Sequence, residues 1–250
     1  FAAMATAYGL GVFNDSFFRQ SAMLLLVAAG AKNRQGLVMA VFTLPYLLLA
    51  APAGWVADRF SKRHVVIVAK WLEVLAMIFG AAGMLLGNWP LIVAMVFTMG
   101  LQSCFFSPAL NGSIPELYPA DYVANANAIL KAVITTMILA GVSLAGLAVG
   151  RVGEGWGGVE IRRWTVAVGA LAVAAVGAAA SFGVPRRPAA DTKAGFPWTG
   201  PLHTLGQLRD IVRTDRLLTI IVGANVFVWF VGAILAPLIN VVPIEQFPPS

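Results

Sequence analysis

Apolar runs of bilayer length fill most of this chain, and the connections between them are mostly too short to be domains. A spanning helix needs about 20 predominantly apolar residues. Seven stretches approach or exceed that length, at 2–29, 36–57, 65–86, 90–108, 125–149, 164–184 and 217–242. Charged residues make up only 11% of the chain and hydrophobic residues 59%, whereas a soluble domain carries about 25% charged residues. Lipid, rather than water, is therefore the main solvent. A transmembrane barrel would show alternation in segments of about ten residues, and these runs do not alternate. The sequence predicts an all-α membrane protein whose 25 glycines and 14 prolines break helices and let them pack closely in lipid.

Most of the basic residues fall in the connections. If the Asp58–Arg63 loop is cytoplasmic, that side carries Arg59, Lys62, Arg63, Arg186, Arg187, Lys193, Arg209, Arg213 and Arg216, nine in all. The other side carries Lys32, Arg34, Arg151, Arg162 and Arg163, five in all. Positive charge favours the cytoplasmic side, so the N-terminus is expected in the cytoplasm. The same distribution accounts for the net charge of +6 without nucleic acid as a partner. Cys104 is the single cysteine and allows no internal disulfide, while His64 and His203 both sit beside basic loops. Neither a metal nor a cofactor is expected. No cleavable signal peptide is visible. The chain begins at Phe1 and ends at Pro248-Pro249-Ser250 just after an apolar run, and it reads as a fragment of something longer.

Spans one to six are expected to form one transmembrane bundle over residues 1–184. Residues 185–216 differ in composition and read as a cytoplasmic connector, and 217–250 hold a seventh helix that opens a second bundle. Within the connector, Leu202, Leu205, Leu208 and Val212 recur at helical spacing over 201–213. This predicts a short helix lying on the membrane with its arginines toward headgroups. A plain tether between bundles fits the same pattern equally well.

Ionisable side chains inside the spans need a reason, because each costs about 2.5–3.5 kcal/mol at a helix centre. Asp15 lies near the middle of span one, and Arg19, four residues on, shares its helical face. Such a pair can be self-neutralised and do no more than fix helix rotation. Asn14, Ser16 and Gln20 add polarity that this would not need, which favours a polar patch lining a central cavity. Span three brings Lys70 and Glu73, and span five brings Lys131 after Asn125 and Asn127. A Glu73–Lys131 or Glu73–Lys70 ion pair is the structural account, and Lys70 can also snorkel to the interface. Span seven adds Asn225, Trp229 and Asn240, where a mid-span Trp more often packs than binds. Asn14, Asp15, Arg19, Glu73 and Lys131 are the candidate substrate-binding residues. Gly141, Ala145, Gly146 and Gly150 are small residues at spacing four and read as helix packing.

The insert Gly54-Trp55-Val56-Ala57-Asp58-Arg59-Phe60-Ser61-Lys62-Arg63 resembles the loop between helices two and three of the major facilitator superfamily of transporters. That pattern is roughly G-x-x-x-D-R-x-G-R/K-R/K, and Ser61 stands where Gly is usual. The resemblance implies the superfamily's N-terminal six-helix bundle, its cytoplasmic connector and the first helix of its second bundle. It also implies that Asp58, Arg59 and Arg63 are conformational residues, pairing with helix ends across the bundles and helping to set the inward–outward equilibrium. A topology anchor alone would account for Lys62 and Arg63 without demanding Asp58.

Two further stretches narrow the likeness. Phe13-Asn14-Asp15-Ser16-Phe17-Phe18-Arg19-Gln20 is similar to the F-N-D-N-x-F-K/R-Q of the bacterial lysophospholipid transporter family. Phe105-Phe106-Ser107-Pro108 with Ile114-Pro115-Glu116-Leu117 is similar to its F-F-G-P…L-P-E-L segment, and Asn127-Ala128 fits the opening of its helix five. The departures are Ser16 for Asn, Ser107 for Gly, and Leu110-Asn111 where Lys-Tyr is common. The likeness covers residues 8–131 by motif and the rest by hydropathy. The Gly-Pro-x-x-Gly-Gly element and the buried helix-four Arg of drug–proton antiporters are both missing, since span four reads Met99-Gly100-Leu101-Gln102-Ser103-Cys104.

What this resemblance implies is a secondary transporter of the bacterial cytoplasmic (inner) membrane. It would move lysophospholipid, chiefly lysophosphatidylethanolamine, by alternating access around a mid-membrane site. Some relatives are fused to an acyltransferase and an acyl-carrier-protein synthetase. The expected partners are therefore a lysophospholipid or other amphiphile, membrane lipids, and a fused or associated acyltransferase. Two alternatives stay open: a transporter of a small polar solute or drug coupled to H+ or Na+ through Asp15 or Glu73, and a membrane anchor for a fused acyltransferase. No H-x4-D acyltransferase box, P-loop or nucleophile elbow occurs, so no bond chemistry is expected from this segment.

Overall fold

Each of the seven apolar stretches is a helix in the computed structural model, which describes residues 2–28, 32–117, 119–150, 156–185 and 212–246 and parts of 188–210. In chain order these are α1 (Ala2–Ala28), α2 (Gln35–Arg59), α3 (Lys62–Leu86), α4 (Trp89–Leu117), α5 (Ala120–Gly150), α6 (Trp156–Ser181) and α7 (Arg216–Gln246). A 3-10 turn at Lys32–Arg34 leads into α2. Among the described residues α2, α3, α4, α5 and α7 are long and apolar enough to cross a membrane, and no strand occurs. The helix expected over 201–213 lies largely outside the described residues.

Local chemistry sets the helix ends. α3 stops at Gly87, whose φ of 62° is the left-handed position that glycine takes without steric cost. The Asn88 N–H then bonds the Gly83 carbonyl at 2.9 Å. The Asn88 side chain accepts the Leu91 N–H at 3.2 Å, so one residue closes α3 and caps α4. Asp215 caps α7 in the same way, accepting the Leu218 N–H at 2.9 Å. Two helices run beyond the apolar pattern. α4 continues past Pro108 because Ala109, Leu110 and Ile114 stay buried, and Ser113 Oγ donates to the Ala109 carbonyl at 2.6 Å. α5 begins at Ala120 with Asp121 in its first turn, where a carboxylate suits the helix dipole.

α4 packs against both α2 and α3; α3 also meets α6, and α1 lies against α5 and α6. One core, around Phe18, Met77, Met95 and Met99, joins α1, α3 and α4. A second, around Val66, Phe106, Leu110 and Leu130, joins α3, α4 and α5. α7 is largely exposed and meets the rest chiefly along α1. Part of the segment between α6 and α7 returns to the end of α2. There the Asp191 N–H bonds the Asp58 carbonyl at 3.0 Å, and Phe196 meets Trp55 edge-on with centroids 5.2 Å apart.

Close backbone approach explains part of the glycine content. A Cβ on Gly100 would overlap the Phe42 carbonyl, so α2 and α4 touch through that residue. Gly141 similarly faces the Phe13 carbonyl at 2.7 Å from an ideal Cβ, and Ala145 one turn on is buried. Gly146 has nothing within 4 Å, so the close contact with α1 falls to the Gly141 side of the small-residue pattern. Gly100→Ala in the full-length protein is expected to cost about 1–3 kcal/mol through overpacking. Thermal unfolding in detergent measures this, and Gly146→Ala should leave the midpoint unchanged or slightly raised.

Candidate functional site

α1 supplies polar side chains to four different neighbours, in sequence from its first half to its second. Asn14 is fully buried and its Nδ2 donates to Glu73 Oε1 at 3.0 Å. Glu73 in turn holds Lys70, with Lys70 Nζ 2.5 Å from Glu73 Oε2 and both side chains buried. The ammonium is caged by helices on three sides. It lies 5.3 Å from the Phe106 ring centroid of α4, and an ideal Cβ on Gly11 of α1 or Gly177 of α6 would stand 2.7 or 3.4 Å from it. Side chains larger than glycine at 11 would displace the pair. Asn14 Oδ1 finds no hydrogen-bond partner among the described residues.

Asp15 points to α4 instead. Ser103 Oγ donates to Asp15 Oδ2, and Gln102 Nε2 lies 3.3 Å from each carboxylate oxygen. Gln102 Nε2 also reaches Ser103 Oγ at 2.8 Å, so the two α4 residues act on Asp15 as one unit. Asp15 is 8% exposed, and among the described residues its close polar contacts are these donors rather than a cation.

Arg19 and Gln20 turn toward α2 and α7. The Arg19 guanidinium lies 4.8 Å over the Phe42 ring, an arrangement that stabilises a cation in apolar surroundings. Gln20 donates to Asn240 Oδ1 at 2.7 Å, and Asn240 donates to Gln35 Oε1 at 3.0 Å, tying α7 to α1 and α2. Between these helices opens a cavity of about 220 Å³. Ser16, Arg19, Gln20 and Asn240 give it polar points, and Met23, Met39 and Ile239 give it apolar walls.

The five candidate binding residues therefore do not converge on one point. Asn14 and Glu73 meet, with Lys70 rather than Lys131 as the cation. Asp15 and Arg19 do not form the ion pair their spacing allows, because α4 offers Asp15 two donors and α2 offers Arg19 an aromatic face. Lys131 is exposed on α5. At the other end of α2, Asp58 is exposed, while Arg59 and Arg63 are half-buried. Gln102 and Ser103 were not among the expected site residues; the signal for them was two adjacent polar side chains in the middle of an apolar span.

The sequence matches the Major Facilitator Superfamily over residues 2–247. The chain belongs to that superfamily. Superfamily membership and the apolar helices make it an integral membrane protein with a transport fold. Its similar relatives include the Lysophospholipid transporter LplT of Cronobacter sakazakii, 31% identical over 229 residues, covering 88% of this chain and 53% of that protein. The protein of the same name in Photorhabdus laumondii is 28% identical over 190 residues, covering 72% of this chain and 43% of the relative. That of Salmonella newport is 32% identical over 145 residues, covering 58% and 34%. The chain thus spans about half the length, or less, of these curated relatives.

Proposed function

We propose that this chain is the first half of a lysophospholipid transporter, with residues 1–184 as the N-terminal bundle, 185–216 as the connector and 217–250 opening the second bundle. The observation that carries the reading is the cavity between α1, α2, α5 and α7. It sets one cation, Arg19, and the amide groups of Gln20 and Asn240 beside methionine and isoleucine walls. An anionic phosphate on a single acyl tail has matching parts. The likeness to proteins named lysophospholipid transporters supports the same substrate class.

The N-terminus would be cytoplasmic in a bacterial inner membrane, and substrate would pass by alternating access between two bundles. Asp15 with Gln102 and Ser103 forms the mid-membrane polar station next to this cavity, and Asn14 and Glu73 form the one behind it. Asp58, Arg59 and Arg63 act on the conformational equilibrium from the α2–α3 loop. Lys131 belongs to this site only if substrate passes along α5.

Spheroplasts producing the full-length protein should take up labelled lysophosphatidylethanolamine. Unlabelled lysophospholipids should compete, and polar solutes without an acyl chain should not. Competition by a polar solute alone would transfer the assignment to a solute carrier. No uptake from well-folded protein would leave a membrane anchor.

A further inference from the structure

At the end of the bundle remote from the Arg19 cavity, a second and quite different space opens between α2 and α3. It offers about 320 Å³, with Phe105 of α4 behind it. Its walls are Val56 and Phe60 from α2, and Val65, Val68 and Leu72 from α3. The lining is apolar except for His64, at the loop end. From His64 to Leu72 the helix rises about 12 Å, so the groove is an elongated slot along the helix axis. Val68 is 59% exposed and Phe60 50%, so the slot opens sideways on two helices long and apolar enough to span a membrane.

The loop end of the slot is basic. Arg59 closes α2, and Lys62, Arg63 and His64 fill the first turn of α3. Lys62 is engaged inward, its Nζ donating to the Gly112 carbonyl at 3.2 Å. Arg63 and His64 remain toward the surface, half-buried and exposed respectively. Cations in a first turn are the reverse of what the helix dipole favours. This turn holds no acidic residue, and Ser61 makes no side-chain capping bond. An anion beside Arg63 and His64 would offset the repulsion and the dipole together. An apolar slot of this length ending in such a cluster is complementary to an acyl chain joined to an anionic phosphate headgroup.

We propose that the α2–α3 groove holds one acyl chain of an anionic membrane phospholipid, from the leaflet that meets the α2–α3 loop, with its headgroup against Arg63 and His64. This site is separate from the transport cavity and does not depend on the direction or substrate of transport. A lipid seated there would brace the Asp58–Arg63 loop between the bilayer and the connector segment that packs on Trp55.

The test is photolabelling of the full-length protein in phosphatidylethanolamine nanodiscs containing phosphatidylglycerol with a diazirine on one acyl chain. Crosslinks are expected to concentrate on 56–72 and Phe105. Val68→Trp, which fills the slot from an exposed position, should remove most of them, while Leu47→Trp, exposed elsewhere on α2, should leave them. Arg63→Gln with His64→Gln should abolish the preference for phosphatidylglycerol over a matching diazirine phosphatidylethanolamine. Labelling spread evenly over the lipid-facing helices, labelling unchanged by Val68→Trp, or an absence of labelling in the slot would each overturn the proposal.

Discussion

Asp15→Asn in the full-length protein is expected to cut lysophospholipid uptake about ten- to a hundredfold, the loss of one charged interaction of roughly 1.5–3 kcal/mol from the mid-membrane station proposed for substrate passage. The carboxylate accepts from Ser103 and Gln102 at once. An asparagine of the same size keeps one acceptor and turns a second donor on two donors. Two opposing changes act on stability. The lost hydrogen bonds lower it, and removing an ionisable group from the middle of a span relieves an insertion penalty of about 2.5–3.5 kcal/mol. The melting temperature in detergent should therefore stay close to that of wild type. Lost uptake with an unchanged or raised melting temperature marks a functional carboxylate. A lowered melting temperature with normal uptake would mark Asp15 as structural and remove it from the site. Ser103→Ala, which takes away one donor and no charge, should fall between wild type and Asp15→Asn.

The buried pair on α3 should produce the largest change in stability. Lys70→Met leaves Glu73 buried with only the Asn14 amide, and Glu73→Gln leaves Lys70 caged without a counter-charge. Breaking a buried pair from one side costs about 3–5 kcal/mol, whereas replacing both partners is often close to neutral. Each single variant is therefore expected to lose folded protein, and the double variant to recover most of it. Lys131→Met should stay within about 0.5 kcal/mol of wild type, as exposed positions do. Detergent melting curves for the four variants decide the matter. Singles that match Lys131→Met would mean that the Lys70–Glu73 pair does not hold α1, α3, α4 and α6 together.

The sequence announces the helices more fully than it announces their partners. Bilayer length, the Gly87-Asn88 stop and the Asp58–Arg63 insert are local signals, and each corresponds to a helix or helix end. The extension of α4 to Leu117 was harder to see, because Asn111 and Gly112 interrupt the apolar run while Leu110 and Ile114 on the inner face continue it. Spacing shows that Asp15 and Arg19 share a face of α1, but it carries no information about what stands opposite. α4 presents Gln102 and Ser103 to one of them and α2 presents Phe42 to the other, so an intrahelical pair gives way to two separate contacts. The choice between Lys70 and Lys131 for Glu73 was equally a matter of packing. Lys70 wins because Gly11 and Gly177 leave room for its ammonium beside α1 and α6.

Purified full-length protein in proteoliposomes shows whether a lysophospholipid crosses the membrane through it. Labelled lysophosphatidylethanolamine is presented on one side, and its arrival in the opposite leaflet is timed against protein-free vesicles. Transfer well above the protein-free rate is expected with wild type, and a rate close to that background with Asp15→Asn. Transfer at the protein-free rate by folded wild-type protein would contradict the proposed function.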